Sequence, residues 1–461
     1  MVLRKKNSFM KFFLILIMVA LLAGGGFIFL SPQFEQNAPN IEFKTNGFWN
    51  LKDKLEIKLS DESGIKYYKI TFIDDAKSIV LDEKVLNEIK KDINLLLKPP
   101  KLDMFYKGTN VKIKIDVVDN SKWNFLNGNK ISKTFNIKID NKRPIANVIN
   151  NSRYIKRGGS GVIIVKVKDE NLDKAYITFN NTHKFELIPF YKENYYISLI
   201  AWDINIKYDE FEKVKLVAID KANNKTSVKV PFYIQDLKIK KDRINLSKQF
   251  IQNVSTNVLE QMNETVPEDL VERFIKQNRK LRADNIATIK KVVMENFKKD
   301  KIDSFNIDRF KRLRGSKTAA GFGELRSYYF ENEKIDEAWH LGIDWASVKQ
   351  ATIRVSNGGK VIFNDYLGIY GNSIIIDHKM GLATIYSHTT NQYVDVGDEV
   401  VKNQKIATTG TTGAVLGDHL HFGVLIQGIE VNPKEWMDKN WIKTRITDII
   451  KNAKILIDKD R

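Results

Sequence analysis

The sequence predicts a multidomain, mainly β protein: an N-terminal transmembrane helix, two β-modules, a helical connector and a C-terminal antiparallel β domain. Three observations carry this. An uncharged run fills Phe12 to Leu30. Apolar residues then alternate with a period of two across residues 31–235, and the period changes to three and four across 236–315. Alternation returns after residue 316, where five of the six histidines fall between His340 and His421.

Composition narrows the chemistry. At about 100–200 residues per domain, 461 residues form two to four folded units. A hydrophobic share of 43% with 11% aromatics excludes wholesale disorder. Gly 25 and Pro 9 are too few for a collagen-like or low-complexity chain. Cys is 0, which removes disulfides, thiol nucleophiles and cysteine-held metals, so any metal must sit on histidine and carboxylate.

Arg4, Lys5, Lys6 and Lys11 flank the apolar run. Residues 1–11 read as a cytoplasmic basic flank and 12–30 as a transmembrane signal anchor of about 28 Å, close to the hydrocarbon thickness. The small residues from Ala20 to Gly26 offer a weak cleavage site. The positive flank stays inside. The expected protein is single-pass in the inner (cytoplasmic) membrane, with its N-terminus inside and its other domains in the periplasm or outside the membrane. A formal charge of +19 often points to nucleic acid. Here the basic stretches Lys238–Arg243 and Arg309–Lys317 lack interleaved aromatic platforms, so they read as solvated faces and no nucleic-acid partner is expected.

The β region divides into modules 31–140 and 141–235. Leu55, Ile57 and Leu59 alternate, as do Ile113, Ile115 and Val117, then Val165 and Val167, and Val214, Leu216 and Ala218. Pro39, Asp61 and Asp119 recur as Pro144, Asp169 and Asp220, a period of about 100 residues. With their short motifs the two halves resemble bacterial Ig-like domains, and the resemblance implies spacers rather than catalysts. His183 stands alone there as a turn residue. In 236–315, Phe250, Ile251, Val254 and Val258 fall at helical spacing, as do Leu270, Val271, Phe274, Ile275 and Leu281; Pro267-Glu268-Asp269 suits a helix first turn, and a third helix is expected over about 286–297. This connector packs on its neighbours, or it covers a cleft in the following domain, in which case removing residues 31–315 raises turnover.

Beyond it, His419-Leu420-His421 leads into an alternating Phe422, Val424, Ile426, and i, i+2 residues on a strand share a face. His340 and Asp344 form a second pair about 80 residues earlier. Clustered histidines with an aspartate suit a zinc site once cysteine is absent. Asn357-Gly358-Gly359 signals a hairpin turn between Thr352–Val355 and Val361–Phe363.

The stretch from about Gly321 to Trp436 resembles the lysostaphin-like, LytM-type zinc metallopeptidases (peptidase family M-23), which cut peptides of bacterial peptidoglycan. The matching elements are His340-x-x-x-Asp344; Tyr386-Ser387-His388; Val396-Gly397-Asp398 with Val400, Gln404 and Ile406; Gly410-Thr411-Thr412-Gly413; Gly417-Asp418-His419-Leu420-His421-Phe422; and Val431-Asn432-Pro433. Asn403 and Ala407 replace usual glycines, and Thr389 a usual leucine. The resemblance implies one Zn²⁺ per chain held by His340, Asp344 and His421, with His388 and His419 as unliganded catalytic histidines. It places Tyr370-Gly371-Asn372 along the groove and leaves His378 outside the site. The peptidase domain is expected over 316–439. Residues 440–461 read as an amphipathic helix through Ile446, Ile449, Ile450, Ala453 and Ile457.

Two imidazoles and a carboxylate leave zinc an open position for water, whose pKa it lowers toward ~7. The implied function is a membrane-anchored zinc-dependent endopeptidase hydrolysing peptidoglycan cross-links during wall remodelling, the D-alanyl–diaminopimelate bond ahead of glycine bridges. The alternative is a non-catalytic peptidoglycan-binding protein or an activator of a partner wall hydrolase. Expected partners are peptidoglycan peptide stems, the cytoplasmic membrane through the anchor, and a regulatory protein.

Overall fold

A computed structural model of the chain describes residues 8–75, 77–103 and 106–460. Arg4, Lys5 and Lys6 of the basic flank lie outside the described residues. The fold is mainly β. The helix Ser8–Leu30 has a mean hydropathy of 2.7 over Phe9–Leu30 and exposes Phe12, Leu16, Leu22 and Phe29 around its circumference. At 1.5 Å per residue it is long enough to cross a bilayer.

The chain divides into two compact units: the part up to Arg143 with Ile219–Asn224, and Pro144–Ala218 with Lys225 onward. In the first, the strand Leu55–Ile73 pairs with Asn40–Lys44 and Asn110–Asp119 and, along its length, with Ser78–Leu97; Lys130–Ile139 extends the sheet. Alternate residues Ile57, Leu59, Ile70, Phe72, Ile113 and Ile115 are buried, as the period of two requires. The repeated Asp119 and Asp220 have one local use: each buried carboxylate accepts from the backbone and side-chain N–H groups of an asparagine, Asn129 and Asn224 respectively.

The second unit joins segments expected as separate pieces: most of the module 141–235, with 236–315, 316–439 and 440–461. Two four-stranded sheets come first, one with Ser160–Lys168 between Ile145–Asn151 and Tyr195–Ala201, the other with Leu172–Phe179 beside Val214–Asp220. Their core of Val162, Phe179, Leu199 and Trp202 runs on into Ile343, Phe422 and Trp436. Trp436 Nε1 donates to Ser160 Oγ at 2.9 Å, and Gln427 Nε2 to Leu199 O at 3.2 Å. The helix Asp448–Lys459 buries Ile449, Ile450, Ala453 and Ile457, and Ile449 O accepts from Asn150 Nδ2 on the first sheet.

The framework of the C-terminal part is an antiparallel sheet running Lys317–Ala320, Ile343–Ala346, Leu420–Ile426, Leu382–Ser387, Asn372–Asp377, Gly359–Tyr366 and Glu399–Val400. The hairpin expected at Asn357-Gly358-Gly359 does not form. Thr352–Arg354 joins Lys405–Thr409 instead, and Gly359–Tyr366 joins Asn372–Asp377 and Glu399–Val400. The reason is local: Asn357 bonds Asp308 N and O, and Ser356 Oγ accepts from Lys311 N, so the turn residues serve a neighbouring segment.

Residues 236–315 are not purely helical. Lys240–Asn245 is a strand parallel to Glu324–Phe330, with Lys240 Nζ 2.7 Å from Glu324 Oε1. The helical stretches are Lys248–Phe250, Ile251–Ser255 and Thr256–Gln261, then Leu270–Ile275, Lys276–Leu281 and Arg282–Glu295. Asp269 caps the second group by accepting from Glu272 N. Val258, Leu259, Leu281, Ile289 and Val293 share a core with Ile369, Ile375, Ile385 and Leu425 of the sheet.

Candidate metal centre and active site

Sheet register brings the first group together. Asp344 on Ile343–Ala346 lies directly opposite His421 on Leu420–Ile426, and Ser387 stands on His421's other side. His340 precedes this strand; its N–H donates to Glu324 O and its carbonyl accepts from Gly323 N. His340 Nε2, His421 Nδ1 and Asp344 Oδ1 are 2.9, 2.9 and 3.1 Å apart in pairs. Gly342 allows this: a Cβ there would fall 2.5 Å from His421 Nε2.

The hydrogen bonds set the tautomer of His340. Its Nδ1–H donates to Gly321 O at 2.8 Å, so Nε2 carries a lone pair. That lone pair faces the carboxylate oxygen and the second imidazole nitrogen, an arrangement of acceptors that a shared cation or proton must hold together. Three atoms about 3 Å apart share a point about 2 Å from each, just outside their plane, which is the zinc–ligand distance for N and O. The donor set therefore fits a divalent zinc-like ion. Burial alone would raise the Asp344 carboxyl, but His340 and His421 overcome it and hold it well below the ordinary range. Burial pushes His421 down to about 4, against the pull of Asp344. The other carboxylate oxygen, Asp344 Oδ2, accepts from Arg326 Nη2 at 3.0 Å.

The second group flanks the first. His388 follows the strand Leu382–Ser387 at φ +60°, a conformation that few side chains adopt without support. Its N–H donates to Tyr370 O at 2.9 Å and its Nδ1 to Thr412 O at 2.8 Å, leaving Nε2 free. Burial, then the nearby His419 and His421, drive His388 well below its ordinary pKa. His419 Nδ1 bonds Gly417 O at 2.8 Å, and Nε2 lies 3.7 Å from Asp344 Oδ1. The His388 and His419 rings are 4.8 Å apart between centroids.

Thus His340, Asp344, His421, His388 and His419 all line one cavity of about 490 Å³. His378 does not: it is buried between Gly358 O and Thr384 Oγ1, at 2.8 Å from each. His183 pairs with Asp203 at 3.2 Å. Tyr370 does join the cavity, with its ring 5.5 Å from that of His421 and its hydroxyl donating to Glu430 Oε1 at 3.3 Å.

Two residues escaped the sequence reading. Arg326 has no distinguishing spacing. Asn285 had a signal: it lies in the stripe Leu281, Asn285, Ile289, Val293, a polar residue at an apolar position. Its Oδ1 accepts from Ile369 N at 3.0 Å, and Ile369 opens onto the turn whose Tyr370 carbonyl holds His388. Gly368 in that turn, at φ +48°, leaves room for the amide, since a Cβ would come 2.6 Å from Asn285 Oδ1.

Residues 338–433 match the family model described as Peptidase family M23. Over 94 residues the chain is 35% identical to the DD-carboxypeptidase/endopeptidase Mpg of Neisseria meningitidis, covering 20% of this chain and 22% of that protein. Over 102 residues it is 38% identical to the murein hydrolase activator NlpD of Escherichia coli, covering 22% of this chain and 27% of that one. The alignments thus span about a quarter of these relatives' lengths. A solved putative peptidase M23 from Pseudomonas aeruginosa aligns over 63% of this chain and 96% of its own at 16% identity and a TM-score of 0.33.

Proposed function

The chain carries a peptidase family M23 domain over residues 338–433, and on that premise we propose that it is a membrane-anchored zinc endopeptidase that hydrolyses peptide cross-links of bacterial peptidoglycan. The observation that carries this is the convergence of His340 Nε2, Asp344 Oδ1 and His421 Nδ1 beside two further imidazoles with free Nε2 atoms. The first three would hold Zn²⁺, which supplies Lewis acidity and a water acidic enough to ionise near neutral pH.

The other residues then have distinct tasks. His388 is kept neutral by burial, and Thr412 O fixes its tautomer, so its Nε2 lone pair takes the proton of the attacking water. His388 then hands that proton to the departing amine, and His419, near the cavity rim with its Nδ1 bonded to Gly417 O, positions the water and the substrate. Arg326 keeps Asp344 turned so that Oδ1 faces the metal position.

In this reading the helix Ser8–Leu30 spans the cytoplasmic membrane with the N-terminus inside. The D-alanyl–diaminopimelate bond is the favoured substrate, in keeping with a relative named a DD-carboxypeptidase/endopeptidase. A second reading is supported by the relative named a murein hydrolase activator: the domain grips peptidoglycan or switches on a partner hydrolase without cutting. The five filled positions favour hydrolysis.

Mass spectrometry of products released from purified sacculi separates the two. Release of uncross-linked stems that stops on chelation and returns with zinc is the expected result, and the product masses identify the bond. No release from sacculi by zinc-loaded protein would leave the activator reading.

A further inference from the structure

The cavity extends well beyond the five catalytic-site residues. Its far wall comes from outside the matched family segment, from Ile244, Phe250, Phe274, Gln277, Arg282 and Tyr328. Phe274, Gln277, Asn278 and Arg282 recur at three- and four-residue spacing, so one face of the continuous helix from Leu270 to Glu295 lines it. This helix widens to π geometry at Lys276–Leu281, where Gln277 and Asn278 sit. Such widenings cost regular hydrogen bonding and gather at functional sites.

Most polar groups on this wall are paired. Asn278 Nδ2 donates to Asp336 Oδ2 at 2.9 Å, and Arg282 Nη2 to Asn278 Oδ1 at 2.7 Å. Two are not. Gln277 is only 2% exposed, and its side-chain oxygen has no hydrogen-bond partner. Arg326, whose Nη2 holds Asp344, has a buried Nε–H that is also without a partner. Both residues line the same cavity. A folded protein rarely leaves buried polar atoms orphaned, and here one is an acceptor and the other a donor.

We propose that this wall is a binding subsite for the peptide strand next to the scissile bond, with Gln277 accepting from a backbone N–H and Arg326 Nε donating to a backbone carbonyl. A peptide backbone presents that donor and acceptor together, whatever its side chains. The Phe274 and Tyr328 rings, 5.0 Å apart, give the strand an apolar floor. The assignment rests on the peptidoglycan-peptide reading above, and it makes the helical segment part of the substrate site.

The test is binding, measured by calorimetry on the full chain in detergent. Zinc-loaded His388→Ala protein is used so that ligand survives, and the ligand is a purified cross-linked stem peptide. Gln277→Met keeps the side-chain length and removes the acceptor. It should weaken binding about tenfold, the scale of one buried hydrogen bond, with zinc content and melting temperature unchanged. Arg326→Lys keeps a cation beside Asp344 and removes Nε; it should weaken binding to a similar degree.

A set of peptides N-methylated at one amide each adds a check that folding defects cannot mimic. One member should bind about tenfold worse to protein with Gln277 intact and no worse to Gln277→Met. Equal affinities for the Gln277→Met and intact proteins, or a methylation penalty identical in both, overturns the subsite while leaving the hydrolase reading standing. Failure of the intact protein to bind any stem peptide overturns the peptidoglycan reading itself, and the subsite with it.

Discussion

Removing residues 31–315 is expected to destroy the catalytic unit rather than release it. If the helices were a detachable cover, their loss would raise turnover. Instead Val258, Leu259, Leu281, Ile289 and Val293, all at most 2% exposed, complete a core with Ile369, Ile375, Ile385 and Leu425. Each such side chain contributes about 1.5–3 kcal/mol by burial. Together they supply on the order of 10 kcal/mol, as much as the whole stability of a typical domain. The cut also takes away Ser160, to which the buried Trp436 donates its indole N–H. A fragment of residues 316–461, compared with the full chain by thermal melting, zinc content and peptide release from sacculi, should show no cooperative melt and little release. A fragment that melts within about 5 °C of the full chain and cuts faster would refute this reasoning and restore the helices as an inhibitory cover.

Further outcomes follow from single residues. Asn285→Leu leaves the Ile369 N–H buried and unpaired, a cost of about 1–3 kcal/mol; through the Tyr370 turn it should lower turnover about 10-fold or more while zinc stays bound, and Asn285→Asp, which keeps an acceptor, should recover most of the activity in the same release assay. Replacing His340, Asp344 or His421 with Ala should abolish zinc retention by metal analysis, whereas His388→Ala and His419→Ala should keep zinc and lose about 10²–10⁴-fold in rate. Glu435 gives a pH signature. Burial pushes its carboxyl up to about 7, above its ordinary value of 4.5, although Ser160 N and Oγ donate to it. The neutral form is thus favoured in the fold. Its stability contribution is full below pH 4.5 and is lost as pH rises toward about 7, and denaturant titrations of Glu435→Gln should show a shallower fall over that window.

Much of the site was legible because its geometry is written in short spacings. His419 and His421 at i, i+2 announce a strand face, and Leu420–Ile426 is that strand. The apolar helix, the period-two strands and the amphipathic stretch ending at Ile457 likewise declare themselves through periodicity. What stayed hidden depends on distant partners. Lys238–Arg243 reads as a solvated basic run, yet Lys240–Asn245 is a strand, paired in parallel with the distant Glu324–Phe330. The Asn357 turn carries a hairpin composition, but its amide is taken by Asp308. The common core of residues 144–461 is invisible for the same reason: alternation says that Val162 and Phe422 face inward, not that they face the same interior. Gln277 and Asn285 went unread although they carried a signal, as polar residues breaking the apolar stripe that continues through Leu281, Ile289 and Val293.

One contact reaches further than its length suggests. Because a guanidinium occupies one lobe of the Asp344 carboxylate, only a single oxygen is left to offer inward. Hard ions such as calcium or magnesium favour six or more oxygens, often chelated by both lobes of an acid, and would find the nest too sparse and too rich in nitrogen. An ion content with four partners and a taste for imidazole is served instead. Choice among metals would then be exercised by a residue that never touches one.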